Sequence, residues 1–192
     1  MYNLVLVGDR GVGKTTFVQR FITGESEGSY VSIRLFFYDG PITFNVWDIA
    51  AGQEWNGTLP NGNSVHCGII LFDLSSSIAY DSVPTWHGDL TRVCEHIPIA
   101  VVGNKFDQVI EDLGHRTFHR NIDVHCCISC TFNISVELPF LWLARQLTGD
   151  DDLCFVHPPG LRAPELIIGE PDRIRLRTEM IALALRPDGD SD

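Results

Sequence analysis

The chain has 192 residues, 44% of them hydrophobic and 20% charged, with a formal net charge of -11 at pH 7. That length suits one domain with a real core, and the negative balance argues against a general grip on nucleic acid, which needs clustered Lys and Arg. No apolar run is long enough to cross a bilayer, and MYNLVLVG lacks the basic flank and cleavage site of a secretory leader, so a protein of the cytosol or nucleus is expected.

In chain order, Asn3 to Val7 reads as a first buried strand. It runs into GDRGVGKT, Gly8 to Thr15, which fits G-x-x-x-x-G-K-S/T at every fixed position. A strand before this loop and a helix after it, here Lys14 to Thr23 with Gly24 as its stop, are what a phosphate cradle needs. Gly11 and Gly13 let the backbone turn its N–H groups onto phosphate oxygens beside the positive end of the helix. Lys14 supplies a point charge, and the Thr15 hydroxyl is a ligand type for Mg2+. Candidate phosphate contacts are therefore Gly8, Asp9, Arg10, Gly11, Val12, Gly13, Lys14, Thr15 and Thr16.

Arg34 to Tyr38 and Ile42 to Trp47 read as an antiparallel hairpin about the turn Tyr38-Asp39-Gly40-Pro41. The second strand ends in WDIAAGQEW. With a phosphate loop next to it, Asp48 is expected to hold Mg2+ through water, Gly52 to offer its N–H to a terminal phosphate, and Gln53 to orient an attacking water. Cys67 to Leu74 is a further strand, Ile78 to Glu95 a helix and Ile97 to Gly103 another strand. The loop that follows is Asn104-Lys105-Phe106-Asp107. A carboxylate such as Asp107 can accept from both N1–H and the 2-amino group of guanine, and adenine offers neither. Asn104 would tie this loop to the phosphate loop, and the Lys105 stem would cover one face of the base. Val124 to Ser129 is the last strand, after which Ser129, Cys130 and Thr131 would present N–H groups to guanine O6.

Val136 to Leu147 is a helix with Gly149 as its stop. Short β-rich runs alternating with helices give an α/β fold: a six-stranded, mostly parallel sheet with flanking helices and the ligand at the carboxyl ends of its strands. The expected division is a nucleotide-binding domain over 1–149 and a C-terminal tail over 150–192, with a helix at 171–186. The six cysteines are Cys67, Cys94, Cys126, Cys127, Cys130 and Cys154. Cys127-Ile-Ser-Cys130 matches C-x-x-C with His119 and His125 nearby, but no second pair supplies further ligands. VHCCISC is read as a buried strand of reduced thiols.

The phosphate loop, Asp48 and Asn-Lys-x-Asp in this order resemble a small GTPase. GKTTFVQRFITGE, GPITFNVWD, VPTWHGDLTRVCEHIPI and LPFLWLARQLTGDDDLCFV are similar to the Ran family of nuclear-transport GTPases, over residue 2 to about residue 156. The resemblance implies a GTP/GDP switch with Mg2+ that hydrolyses GTP and shuttles between nucleus and cytoplasm. It further implies importin- and exportin-type receptors, with an exchange factor and an activating protein supplied in trans. A monomer with no membrane contact and no direct nucleic-acid contact is expected.

Several positions depart from the family pattern. Ile49-Ala50-Ala51 stands where the family has Thr-Ala, so one extra residue separates Asp48 from Gly52 and Gln53. The first switch segment is shortened, and Ile33 falls where a Thr would sense the γ-phosphate; Ser32 could take its place as a metal ligand after a one-residue slip. Ser26 replaces a Phe beside the base. Trp55-Asn56 and Pro60 replace Lys-Phe and an Arg in the second switch. Of a basic patch facing receptors, His115, Arg116, His119 and Arg120 remain, and the acidic tail end is reduced to Asp188, Asp190 and Asp192. Impaired intrinsic hydrolysis is expected.

Overall fold

A computed structural model describes residues 1–21, 25–27, 30–49, 57–76, 78–94, 96–109, 126–164 and 166–184, with only the backbone at 25–27, 79 and 179–184. The strands are β1 (Tyr2–Val7), β2 (Glu25–Glu27), β3 (Tyr30–Phe37), β4 (Gly40–Asp48), β5 (Cys67–Asp73), β6 (Ile99–Asn104) and β7 (Cys126–Cys127). They form one sheet in the order β2-β3-β4-β1-β5-β6-β7. β3 runs antiparallel to β2 and β4, and the remaining pairs are parallel.

The six expected strands are all present, and the sheet adds β2 at its edge. Glu-Ser-Glu has no apolar alternation to announce it; the strand is defined by antiparallel pairing with Tyr30, Val31 and Ser32. The same pairing starts β3 at Tyr30, ahead of the expected Arg34. The hairpin turn is Tyr38-Asp39, with Phe37 opposite Gly40.

Alternation along the central strands divides the core. Leu4, Leu6, Ile69 and Leu71 face one side, while Val5, Val7, Ile70 and Phe72 face the other. Helices α1 (Lys14–Gln19) and α3 (Leu138–Thr148) cover the first face through Phe17, Phe140 and Leu143. Helix α2 (Val83–Val93) covers the second through Val83 and Leu90, after a short 3-10 turn at Ala79–Ser82. Both α2 and α3 open with a proline at their second residue, where the fixed φ suits a first turn and no N–H is missed. α3 ends at Gly149, left-handed at φ 71°, with its N–H on Arg145 O at 2.8 Å.

α1 is shorter than its sequence pattern. Phe21 leaves the helix to make a β-bridge with Leu161, while its ring meets Phe140 edge-on at 5.0 Å. Phe17 stacks on Phe140 at 5.5 Å. Phe140 thus anchors the helix that follows the phosphate loop, and truncating such a buried ring to Ala costs about 3–5 kcal/mol.

The expected boundary at 149 divides residues that pack together. Leu153 is 4% exposed within the first core, and Phe155 stacks on Phe37 with ring centroids 4.7 Å apart. Arg162 N donates to Arg20 O at 2.7 Å, and Arg20 Nη1 donates to Ala163 O at 3.1 Å. Residues of the 150–163 segment thus touch the core, through contacts that its Pro- and Gly-rich composition hides. Helix α4 (Glu170–Ala184) follows.

Candidate functional site

The loop between β1 and α1 holds three glycines at positive φ: Gly8 at 142°, Gly11 at 84° and Gly13 at 100°. At two of them a side chain would collide as well. A Cβ on Gly8 would lie 2.0 Å from Leu71 O, and one on Gly13 would lie 2.5 Å from Asn104 Nδ2. The loop is therefore pressed against β5 and β6, and the glycines are what make that approach feasible.

Lys14 folds back over this loop, its ammonium donating to Gly8 O at 2.7 Å and Asp9 O at 3.0 Å. Arg10, Gly11, Gly13, Lys14, Thr15, Thr16 and Asp48 line one cleft of ≈ 540 Å³, within the usual range for ligand pockets. Val12, by contrast, is a core residue at 3% exposure. Asp48 ends β4 at the cleft, where partial burial raises its carboxyl above its ordinary value and the Lys14 charge offsets part of the rise. A second positive charge in the cleft would remove that cost. A hydroxyl at Thr15 and a carboxylate at Asp48 in one cleft suit a hard divalent cation that takes oxygen ligands.

Ser32 sits elsewhere in the local geometry. It pairs with Asn45 across β3 and β4 and donates its hydroxyl to Asn45 Oδ1 at 2.7 Å. Ile33 beside it is fully buried. Neither is among the described residues that line the cleft. Pairing with β4 holds these two residues as strand.

At the end of β6, Asn104 is 2% exposed and joins two loops. Its Nδ2 donates to Val12 O at 2.9 Å, and its Oδ1 accepts from Cys130 N–H at 3.2 Å. Lys105 takes a left-handed backbone at φ 63°, a strained conformation for a residue with a Cβ. Its ammonium meets Asp73 Oδ2 at 2.5 Å, while Asp73 Oδ1 accepts from Ser75 N–H and the Ser75 hydroxyl. Burial pushes the Asp73 carboxyl up, but the Lys105 and Ser75 hydrogen bonds and the Lys105 charge outweigh it and hold the group below its ordinary value.

Asp107 accepts a hydrogen bond from the Ser129 hydroxyl at 2.5 Å. Ser129 and Ile134 exchange backbone hydrogen bonds at 3.0 and 2.9 Å, which closes 130–133 into a tight turn. Of the N–H groups expected for guanine O6, that of Ser129 is bonded to Ile134 O and that of Cys130 to Asn104. Thr131 O accepts from Leu166 N–H at 3.4 Å.

Two contributors were not legible as site residues. Trp86, on α2, donates its indole N–H to Asp9 Oδ1 at 3.0 Å, across 77 residues of sequence. Asp73 seats Lys105 from the end of β5. Gly52 and Gln53 lie outside the described residues, as do Trp55, Asn56, the basic patch at 115–120 and the tail end at 188–192; for Ser26 only the backbone is described. His119 and His125 are outside them too. The described residues hold no group of three or more His, Cys, Asp or Glu side chains arranged for a metal.

A family model described as Ras family matches residues 3–148 of the chain. That span takes in the phosphate loop, Asp48, Asn104 to Asp107 and the Ser129 turn, together with all of the sheet but Tyr2.

Proposed function

Because the chain belongs to the Ras family and so is a small GTP-binding switch protein, we propose that it acts as a Ran-like GTP/GDP switch in nucleocytoplasmic transport. The observation that carries the finer reading is Trp86. Trp86 lies in VPTWHGDLTRVCEHIPI, one of the stretches similar to the Ran family, and reaches the phosphate loop through its bond to Asp9. A residue outside the shared motifs thereby touches the phosphate loop.

Ras-family domains in general bind GTP or GDP with Mg2+ and hydrolyse GTP. In this chain Lys14 and the loop N–H groups hold the phosphates. Thr15 and Asp48 would hold Mg2+, which neutralises charge on the phosphate oxygens when bound. Asp107, oriented by Ser129, selects guanine, and Gln53 orients the attacking water. Importin- and exportin-type receptors, an exchange factor and an activating protein are the proposed partners. The protein acts as a monomer in nucleus and cytoplasm, without membrane or direct nucleic-acid contact.

A second reading, a hydrolysis-impaired guanine-nucleotide-binding decoy or scaffold for transport factors, is favoured by one observation. Ile33 is buried in β3 and the Ser32 hydroxyl is engaged by Asn45, so this part of the first switch is committed to the sheet. The extra residue before Gln53 acts in the same direction, since a misplacement of about 1 Å near the chemistry can cost roughly a hundredfold in rate.

Single-turnover hydrolysis of loaded GTP, with and without a Ran-activating protein and against Gln53→Leu, separates the two. Hydrolysis that the activator speeds and Gln53→Leu abolishes supports the cycling switch. Tight binding without turnover in either condition supports the decoy, and failure to bind guanine nucleotide overturns both.

A further inference from the structure

Asp9 and Arg10 are neighbours of opposite charge in the phosphate loop, yet they do not pair. The Asp9 carboxylate accepts from the Trp86 indole N–H at 3.0 Å instead. Trp86 is half-buried and packs against the second core from α2, which fixes where its N–H points. Among the described residues Arg10 makes no hydrogen bond and no ion pair. Its side chain is exposed and lines the phosphate cleft beside Lys14, Thr15 and Asp48. The other cation of the cleft is already engaged: the Lys14 ammonium donates to Gly8 O and Asp9 O, and its charge is the one that acts on the Asp48 carboxyl. Arg10 is the cation that this loop leaves without a partner.

In a chain of net charge -11, an unpaired guanidinium on the wall of such a cleft suits an anionic ligand. Among the described residues that line the cleft, none comes from the Asn104–Asp107 loop or the Ser129 turn, so this is the end of the site away from the base. Thr15 and Asp48, the oxygen ligands for a cation that bridges the outer phosphates, stand in the same cleft as Arg10. A guanidinium is a planar fork that can donate two parallel N–H bonds to phosphate oxygens. We propose that Arg10 grips the terminal phosphate and sets the preference for a nucleoside triphosphate over the diphosphate, and that Trp86 keeps Arg10 available by holding the Asp9 carboxylate. This rests on the reading of the chain as a guanine-nucleotide binder.

Trp86 is the positioning residue in this scheme. Without the indole N–H, the Asp9 carboxylate loses its partner and stands next in sequence to a free guanidinium. A pair between the two draws the fork out of the cleft. It also leaves a negative charge closer to the bound phosphates, and both effects weaken the hold on the outermost one.

The test is the ratio of affinities for the β,γ-imido analogue of GTP, which is not hydrolysed, and for GDP, measured on the full chain with Mg2+ by competition against a fluorescent GDP. Arg10→Ala is expected to lower the ratio by about tenfold, the low end of what hydrogen bonds to a charged group contribute, as suits an exposed side chain. Arg10→Lys keeps the charge without the fork and should lose less. Arg92→Ala, which removes a guanidinium from the exposed face of α2, should leave the ratio unchanged. Trp86→Phe keeps a ring and removes the N–H, so it should lower the ratio, and adding Asp9→Asn should restore it, because an amide does not capture a guanidinium. A loss of packing alone is not repaired in this way. An Arg10→Ala ratio within about twofold of the parent, or equal losses for both nucleotides, would overturn the role of Arg10 and leave the nucleotide-binding reading intact. A loss in Trp86→Phe that Asp9→Asn leaves in place would overturn the role of Trp86. A parent chain that binds neither nucleotide would overturn the inference and that reading together.

Discussion

Asn104 carries the clearest quantitative consequence of the site geometry. Asn104→Ala removes an amide that donates to Val12 O and accepts from Cys130 N–H, in a place where both partners are only 3% exposed. A hydrogen bond removed with its buried partner left in place costs about 1–3 kcal/mol, so the pair should cost about 2–6 kcal/mol. That is a large share of the roughly 5–15 kcal/mol by which domains are stable. For a chain of this size, at about 2–4 °C per kcal/mol, it lowers the melting temperature by about 4–24 °C. The assay is urea unfolding of nucleotide-free protein followed by far-UV circular dichroism, with the slope compared between variants. Asn104→Asp sharpens the test. It keeps the acceptor for Cys130 but sets a carboxylate oxygen against the Val12 carbonyl, so at neutral pH it should cost at least as much as Ala. The gap to the parent should narrow as acid protonates the new side chain and restores a donor. A loss below about 0.5 kcal/mol for Asn104→Ala, the range of ordinary surface changes, would refute the account of Asn104 as the tie between the loops.

Asp48 and Asp73 should respond to pH with opposite sign. Burial, offset in part by Lys14, raises Asp48 in the folded state, so its contribution is most favourable below its unfolded value and is lost as pH rises through the folded one. Asp48→Asn should therefore gain melting temperature over the parent as pH climbs from 3 to 7, while GDP release becomes insensitive to EDTA; parallel melting curves would refute the burial argument. Asp73 is lowered, so its stabilisation is present above its ordinary 3.8 and is lost only in stronger acid. Asp73→Asn should be less stable than the parent at pH 7, with the difference closing below pH 3.8, and a constant difference across that window would contradict the role of the Lys105 pair. Burial pushes the thiols of Cys67 and Cys126 far up and that of Cys127 to about 12, whereas Cys154 is exposed. Iodoacetamide at pH 8 should label Cys154 first by peptide mass spectrometry, and early labelling at Cys127 would show that β7 opens.

What could be read from the sequence was whatever is local. Eight consecutive residues fix the phosphate loop because its glycines answer to φ and to the approach of β5 and β6 within that same stretch. The central strands were legible because each buries both faces and so shows as an apolar run. Pairings across long separations left no such trace. β2 is defined by its neighbour rather than by its own side chains, and β3 extends over Tyr30 to Ile33 because β4 continues beside it. Trp86 lies in a stretch similar to the Ran family, yet nothing in TWHGD indicates Asp9 as its partner. Leu161 and Phe155 sit in a Pro- and Gly-rich stretch whose irregular spacing conceals two core contacts.

The bond between Arg20 and Ala163 spans 143 residues, which has a bearing on when the protein can finish folding. The phosphate loop is synthesised well before its last partners, because the helix that follows it does not meet them until Leu161, Arg162 and Ala163 exist. At about 5–20 residues per second, that interval lasts roughly 7–30 s. During synthesis the loop that holds phosphate is made early and secured late, and the nascent chain spends that time with Phe21 awaiting the strand partner that closes over it.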